Sequence, residues 1–425
     1  MRLVRTDIVK SPDADDRVRL CGEVIYDDKT LKPEELWFEV PQRYADFLSR
    51  SGNPWLACLA PMAATVGEPL QLCAPVDRVL LENVQELMHI WKCWYPYLHV
   101  VPIEAEMLDV GEVEPPGKTV AFFSGGVDSF FTVLRHDINS NGHTGPQTYI
   151  DDLLCIWGYN IHLSDPDAFH KLGDTLQRVA SDLNKEYIQV STNLKETPLR
   201  KKWGALRFPG VLPSVGLALE NRYSKVLIAS AFHYTDLRPF PTHPLTDPMF
   251  STSRTKIVHD GAAFTRVEKT QLLSTSEIAM RSLRVCNRRG FGDRNCSRCG
   301  KCYATMSTLE VLGVLDRCPA FNKESFSVER MAKMNISPGD DVHGFYPHRR
   351  EIKELALKRG REDIANAIDR SLTRSMRHAK LMKLSRSYSK WPFVSRVMKA
   401  LAIRVFGGVN SRKRNPRSAF AGQRK

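Results

Sequence analysis

At 425 residues the chain is long enough for two or three domains, and 42% hydrophobic with 26% charged residues is the composition of an ordinary globular protein, not a disordered or fibrous one. The formal charge of +13 looks like a nucleic-acid signal until it is located: residues 371–425 hold fifteen Lys or Arg and no Asp or Glu, leaving the first 370 residues at −2. The excess basicity belongs to the C-terminal stretch and not to the body. No apolar run approaches the roughly 20 residues of a membrane span. The N-terminal MRLVRTDIVKSPDADDR has basic residues without an apolar stretch behind them, which predicts no secretory signal and a cytoplasmic protein. In that compartment its ten cysteines are expected as thiols or metal ligands.

In chain order, VRLCGEVIY and LWFEV have the β-branched and aromatic content of strands, PWLACLAPMAATVG and VDRVLLENVQELMHIWKCWY carry apolar residues at helical spacing, and HVVPIEAEML is a further strand. These predict an α+β N-terminal domain over 1–115, ended by the Pro-Pro-Gly of GEVEPPGK at 111–118. From 119 to 318 strands and helices alternate: TVAFF, then DSFFTVLRHDI, DLLCIWGYN, PDAFHKLGDTLQRVASDL, YIQVST, PSVGLALENRY and KVLIAS. The βαβα order predicts an α/β domain with a mostly parallel sheet, and ligands of such sheets bind beyond the carboxyl ends of the strands. A helical extension is expected over 319–370. A basic tail follows over 371–425, and in it KWPFVSRVMKALAIRVF (390–406) reads as a basic amphipathic helix.

Between the first strand and helix of the α/β domain stands Ser124-Gly125-Gly126-Val127-Asp128-Ser129. It fits neither the Walker loop nor the dinucleotide fingerprint. Two glycines after a strand and before a helix bring backbone N–H groups close to phosphate oxygens. Ser124 and Ser129 add hydroxyls, and Asp128 is suited to Mg²⁺. The string resembles the pyrophosphate loop (PP-loop) of the N-type ATP pyrophosphatases. That resemblance implies a Rossmann-like sheet of the adenine nucleotide alpha hydrolase type, with ATP and Mg²⁺ as cofactors. It implies cleavage between the α and β phosphates, transfer of AMP to a substrate oxygen, and attack by ammonia or another nucleophile. Ser124 to Ser129 would hold the nucleotide.

CNRRGFGDRNCSRCGKC supplies Cys286, Cys296, Cys299 and Cys302, four thiols within seventeen residues, which suits a tetrahedral Zn²⁺. Cys296, Cys299 and Cys302 with Cys318 are the alternative set, for an iron–sulfur centre. The glycine string followed about 160 residues later by this cysteine set resembles the 7-cyano-7-deazaguanine synthase family of queuosine-type biosynthesis. By that resemblance Lys269 in RVEKTQLL faces the ATP phosphates and acts in catalysis with Asp128 and Ser129. Two family elements differ. IWGYNIHLSD keeps only Gly158 and His162, and RFPGVLPS keeps Pro209 and Gly210. Both elements would shape the substrate pocket.

The expected function is ATP-dependent ligation, forming AMP and pyrophosphate: a small-molecule carboxylate is activated and ammonia or an amine attacks it. A tRNA-thiolating enzyme and a nucleotide-sensing scaffold on an anionic membrane are the alternatives. The N-terminal domain would receive a protein partner, and the basic tail would meet RNA or a peripheral membrane surface. His233 and His243 are candidate substrate contacts. Arg254, Lys256 and Arg266 are candidate partners of a phosphate or carboxylate.

Overall fold

The computed structural model describes residues 1–109, 116–137, 148–197, 206, 209–286, 288, 291, 293–334 and 345–387. It divides into two compact units, Met1–Asn295 and Cys296–Lys425.

The first unit is α/β, built on a ten-stranded, mostly parallel sheet. In chain order its elements are β1 (Arg2–Lys10), β2 (Arg17–Ile25), β3 (Glu34–Pro41), α1 (Asn53–Val66), β4 (Leu70–Leu72), α2 (Arg78–Trp94), β5 (Ile103–Glu104), β6 (Lys118–Phe122), α3 (Val127–Arg135), β7 (Asp152–Trp157), α4 (Pro166–Asp182), β8 (Glu186–Thr192), α5 (Val211–Ala218), β9 (Tyr223–Ala229), β10 (Lys256–Asp260), α6 (Arg266–Leu273) and α7 (Glu277–Ser282). The strands lie in the order β10-β9-β6-β7-β8-β3-β2-β1-β4-β5. β6, β7, β8, β9 and β10 pair parallel, and β1, β2 and β3 pair antiparallel. β6 and β7 are near-continuous apolar runs because both of their faces are covered.

In the parallel half, the chain leaves β6 toward β7 and β8, then crosses back to place β9 on the other side of β6. The loops at the carboxyl ends of β6 and β9 therefore diverge, and the crevice between them is where doubly wound sheets bind ligands. The Ser124–Ser129 string follows β6 directly.

The expected separate domain over 1–115 is not what forms. β3 pairs antiparallel with β8 through Phe38 to Thr192 and Glu39 to Ser191, so the sheet continues from one half into the other. α1, apolar on every side, is buried between neighbouring helices and packs on α5. At that contact a Cβ on Gly210 would lie 1.8 Å from the Ala57 carbonyl oxygen, so only glycine fits. One apolar core runs from Leu3 and Phe38 through Trp55 to Val120 and Val226. Burial joins what the composition of the Pro-Pro-Gly stretch, which lies mostly outside the described residues, divides.

The second unit begins inside the expected 119–318 domain and holds α8 (Gly300–Val311), α9 (Val328–Lys333) and two further helices, Phe345–Lys358 and Glu362–Ser387. The last of these crosses the expected boundary at 371. Ser371 and Ser375 are fully buried, and the Ser371 hydroxyl donates to the Met334 carbonyl at 2.8 Å, so the basic stretch starts as a packed helix. The amphipathic helix expected at 390–406 lies outside the described residues. Among the described residues no helix is long and apolar enough to cross a membrane.

Candidate functional site

β6 ends at Phe122, and the chain turns through Gly125, whose φ of +72° belongs to the left-handed region that glycine enters without strain. The turn is fastened by Ser129. Its hydroxyl accepts from the N–H of Gly126 at 3.1 Å and of Ser124 at 3.3 Å, and donates to the Gly126 carbonyl. Ser129 is thus buried within the loop it shapes, while the Ser124 hydroxyl lies 3.5 Å from it. From the other side, the Arg284 N–H donates to the Gly125 carbonyl at 2.7 Å.

α3 starts at Val127 and carries Asp128 in its first turn. There the Asp128 carboxylate meets two cations from α6: the Arg266 guanidinium, and the Lys269 ammonium at 3.3 Å. Residues 138 and 141 positions apart in the chain are therefore side by side. α6 brings both cations to one face because i and i+3 are neighbours on a helix. Its start is fixed by Thr265 and Glu268, which satisfy each other's backbone N–H groups. Lys269 is only 2% exposed and also donates to the Ser230 carbonyl at 2.7 Å. Burial holds its ammonium below the usual lysine range, opposed by the Asp128 carboxylate. Asp128 and Arg266 keep about a quarter and a fifth of their side-chain surface in solvent. Among the described residues the Asp128 carboxylate meets these two cations beside a helix amino end that adds about half a positive charge, and the Asp260 carboxylate also acts on Lys269. Such a cluster suits an anion.

Behind this cluster, Asp260 at the end of β10 ties down the body of α3. It accepts from Thr132 Oγ1 at 2.8 Å and pairs with His136 Nε2 at 2.9 Å, with the Arg135 guanidinium at 3.6 Å. Burial disfavours its charge, yet these partners hold its carboxyl below the usual range.

Cys286, Cys296, Cys299 and Cys302 form a group whose sulfur atoms all lie within 4.8 Å of one another. A tetrahedral site with Zn–S bonds of about 2.3 Å sets its sulfurs about 3.8 Å apart. Cys296 and Cys302 are separated by 3.8 Å, and Cys299 and Cys302 by 3.4 Å. The Cys299 N–H donates to the Cys296 sulfur at 3.3 Å, and Ser297 between them turns through φ +52°. The donor set fits a metal such as zinc. Cys318, the alternative ligand, is buried outside the group, and burial pushes its thiol up to about 12. Asn295 braces the first ligand: its Oδ1 accepts from Val285 N–H at 2.9 Å and Cys286 N–H at 3.2 Å, and its Nδ2 donates to the Leu283 carbonyl at 2.7 Å.

Other sequence candidates lie elsewhere. Lys256 opens β10 and Arg254 precedes it, at the amino end of a strand parallel to β9 and so at the edge of the sheet opposite the glycine loop. His243 packs edge-on to Trp94 with ring centres 5.0 Å apart, and its Nδ1 accepts from the Leu245 N–H. His233 turns back onto Thr235 in its own exposed loop. Gly158 turns at φ +88°, and His162 pairs with Glu196 at 3.1 Å. Sequence reasoning had no hold on Asp260, His136 or Asn295. Arg266 stood out only as one cation among three, although its position three residues before Lys269 on one helix face was a usable signal.

No protein-family model matches the chain, and no curated protein or solved structure matches it. The chemistry of the site therefore rests on its own residues.

Proposed function

We propose that this is an ATP pyrophosphatase of the N type, with a Rossmann-like sheet, that adenylates a small carboxylate and passes it to ammonia or an amine, as 7-cyano-7-deazaguanine synthases do. The observation that carries this reading is the convergence of Asp128, Arg266 and Lys269 on the glycine turn at the amino end of α3.

In the proposed reaction a carboxylate oxygen of the substrate attacks the α phosphorus of ATP, and the bond from that phosphorus to the bridging oxygen breaks. Pyrophosphate leaves with the negative charge. Arg266 and Lys269 are placed to take up that charge, exchanging part of their contact with Asp128 for phosphate oxygens. Asp128 is the carboxylate that would hold Mg²⁺, which would supply further positive charge for the departing pyrophosphate. The nitrogen lone pair next attacks the acyl carbon, AMP departs, and the proton of the attacking nitrogen passes to solvent, giving an amide. Gly125 lets the backbone approach the phosphates, and Ser129 keeps the turn in shape. The four-cysteine group would hold Zn²⁺ in a structural role.

The test is pyrophosphate release from Mg-ATP by the full chain given carboxy-deazaguanine and ammonium, and then a fractionated metabolite extract. Release that is lost in Lys269→Met supports adenylation, and dependence on carboxy-deazaguanine fixes the acceptor. No release with either source overturns the reading.

A further inference from the structure

The buried segment Leu283–Cys286 touches two features that the proposed reaction treats separately. At Arg284 its backbone N–H holds the Gly125 carbonyl at 2.7 Å, and the Arg284 carbonyl lies 3.6 Å from where a Gly126 Cβ would stand. Two residues on it ends in Cys286, one of the four grouped thiols. Between these points Asn295 uses both ends of its amide on the same segment, accepting from Val285 and Cys286 and donating to Leu283. Leu283, Arg284, Val285 and Cys286 are each less than one-tenth exposed.

We infer that the cysteine centre tethers the glycine loop. Metal held by Cys286 fixes Leu283–Cys286, that segment clamps Gly125 from behind, and metal loading and loop order form one coupled equilibrium. The physical ground is that a short, buried segment has few ways to move one end alone. Gly125 stands at φ +72° in a turn shaped by local bonds to Ser129, and the Arg284 N–H brings a bond from a distant part of the chain to the Gly125 carbonyl, as Arg266 and Lys269 do to Asp128 on the helix side of the turn. Partners behind the ligands commonly tune metal sites; here the same partner chain reaches a second site. Asn295 is accordingly a positioning residue for both. The use of the loop for phosphate rests on the function proposed above, whereas the coupling itself does not.

Hydrogen exchange of the full-length protein, read on peptides covering 120–130, tests this without nucleotide. Stripping the metal with a chelator under reducing conditions should speed exchange of the Ser124 and Gly126 amides roughly tenfold, the worth of about one hydrogen bond. Zinc should restore it, and peptides from β2 and β3 should not change. Loop exchange that ignores metal removal overturns the tether. If chelation melts the whole unit, as the β2 and β3 peptides would reveal, metal-loaded Asn295→Ala decides. Faster loop exchange with zinc still bound supports the tether, partial rescue in Asn295→Asp supports the acceptor role, and exchange equal to the parent overturns the tether. A separate Mg-ATP titration of the loaded protein addresses the phosphate role: absence of binding counts against that reading and leaves the exchange result standing.

Discussion

Two carboxylates act on α3, and they do so differently. Asp260 grips the body of the helix from β10, is 5% exposed, and is surrounded by Thr132, His136 and Arg135. Asp128 stands in the first turn, keeps about a quarter of its side chain in water, and faces two cations whose combined charge exceeds its own. Saturation and burial mark the first as a brace. Two facing cations and access to solvent make the second, under the proposed function, the place for an exchangeable anion. Strong ion pairing does not itself signal function; the proposed function rests on the pair that solvent can reach.

The comparison breaks most visibly if the two acids are exchanged in role. Asp128→Asn should lower pyrophosphate release by about 100-fold or more, measured by coupled pyrophosphate assay, and should cost less unfolding free energy than Asp260→Asn in urea titration, because Asp128 and Arg266 reach solvent and the Lys269 ammonium keeps the Ser230 carbonyl. Asp260→Asn should do the reverse in kind. Stripping a buried partner from His136 and Arg135 should cost about 3 kcal/mol, seen as a lower urea midpoint with an unchanged slope. Equal stability losses in the two variants would remove the distinction.

pH sharpens it further. The Asp260 carboxyl titrates below its unfolded value, so it contributes stability above the ordinary aspartate pKa of about 4, and that contribution is lost as pH falls through its folded pKa. Asp260→Asn should flatten this acid limb, read from urea midpoints down the acid range. The smallest effect concerns Lys269. Its ammonium loses a proton more readily than an exposed lysine, so anion binding at the loop should weaken as pH rises and do so below the usual lysine pKa of about 10.4. Nucleotide titrations at increasing pH, with Lys269→Arg as the non-titrating control, check this.

The parallel half was legible in the sequence because its strands and helices alternate and because their apolar runs are continuous. The glycine string announced the turn at Gly125, and four closely spaced thiols announced their own cluster. The fusion of the two halves was not legible, since it depends on an edge pairing between β3 and β8 across some 150 residues, which no local pattern encodes. β1, β4 and β10 were missed for related reasons. RLVRTDIVK is mostly exposed and weakly patterned, β4 is three residues long, and KIVHD is a short run between polar loops. Asp260 and Asn295 escaped because their meaning lies entirely in what folding brings beside them.

Isothermal titration of the full chain with Mg-ATP, alongside Asp128→Asn and Lys269→Met, addresses the central claim most directly. Saturable one-to-one binding that Lys269→Met loses by about tenfold or more, with both variants as folded as the parent, is the predicted result. No binding by the parent, or binding that neither substitution changes, would contradict the assignment of this cluster to a nucleotide phosphate.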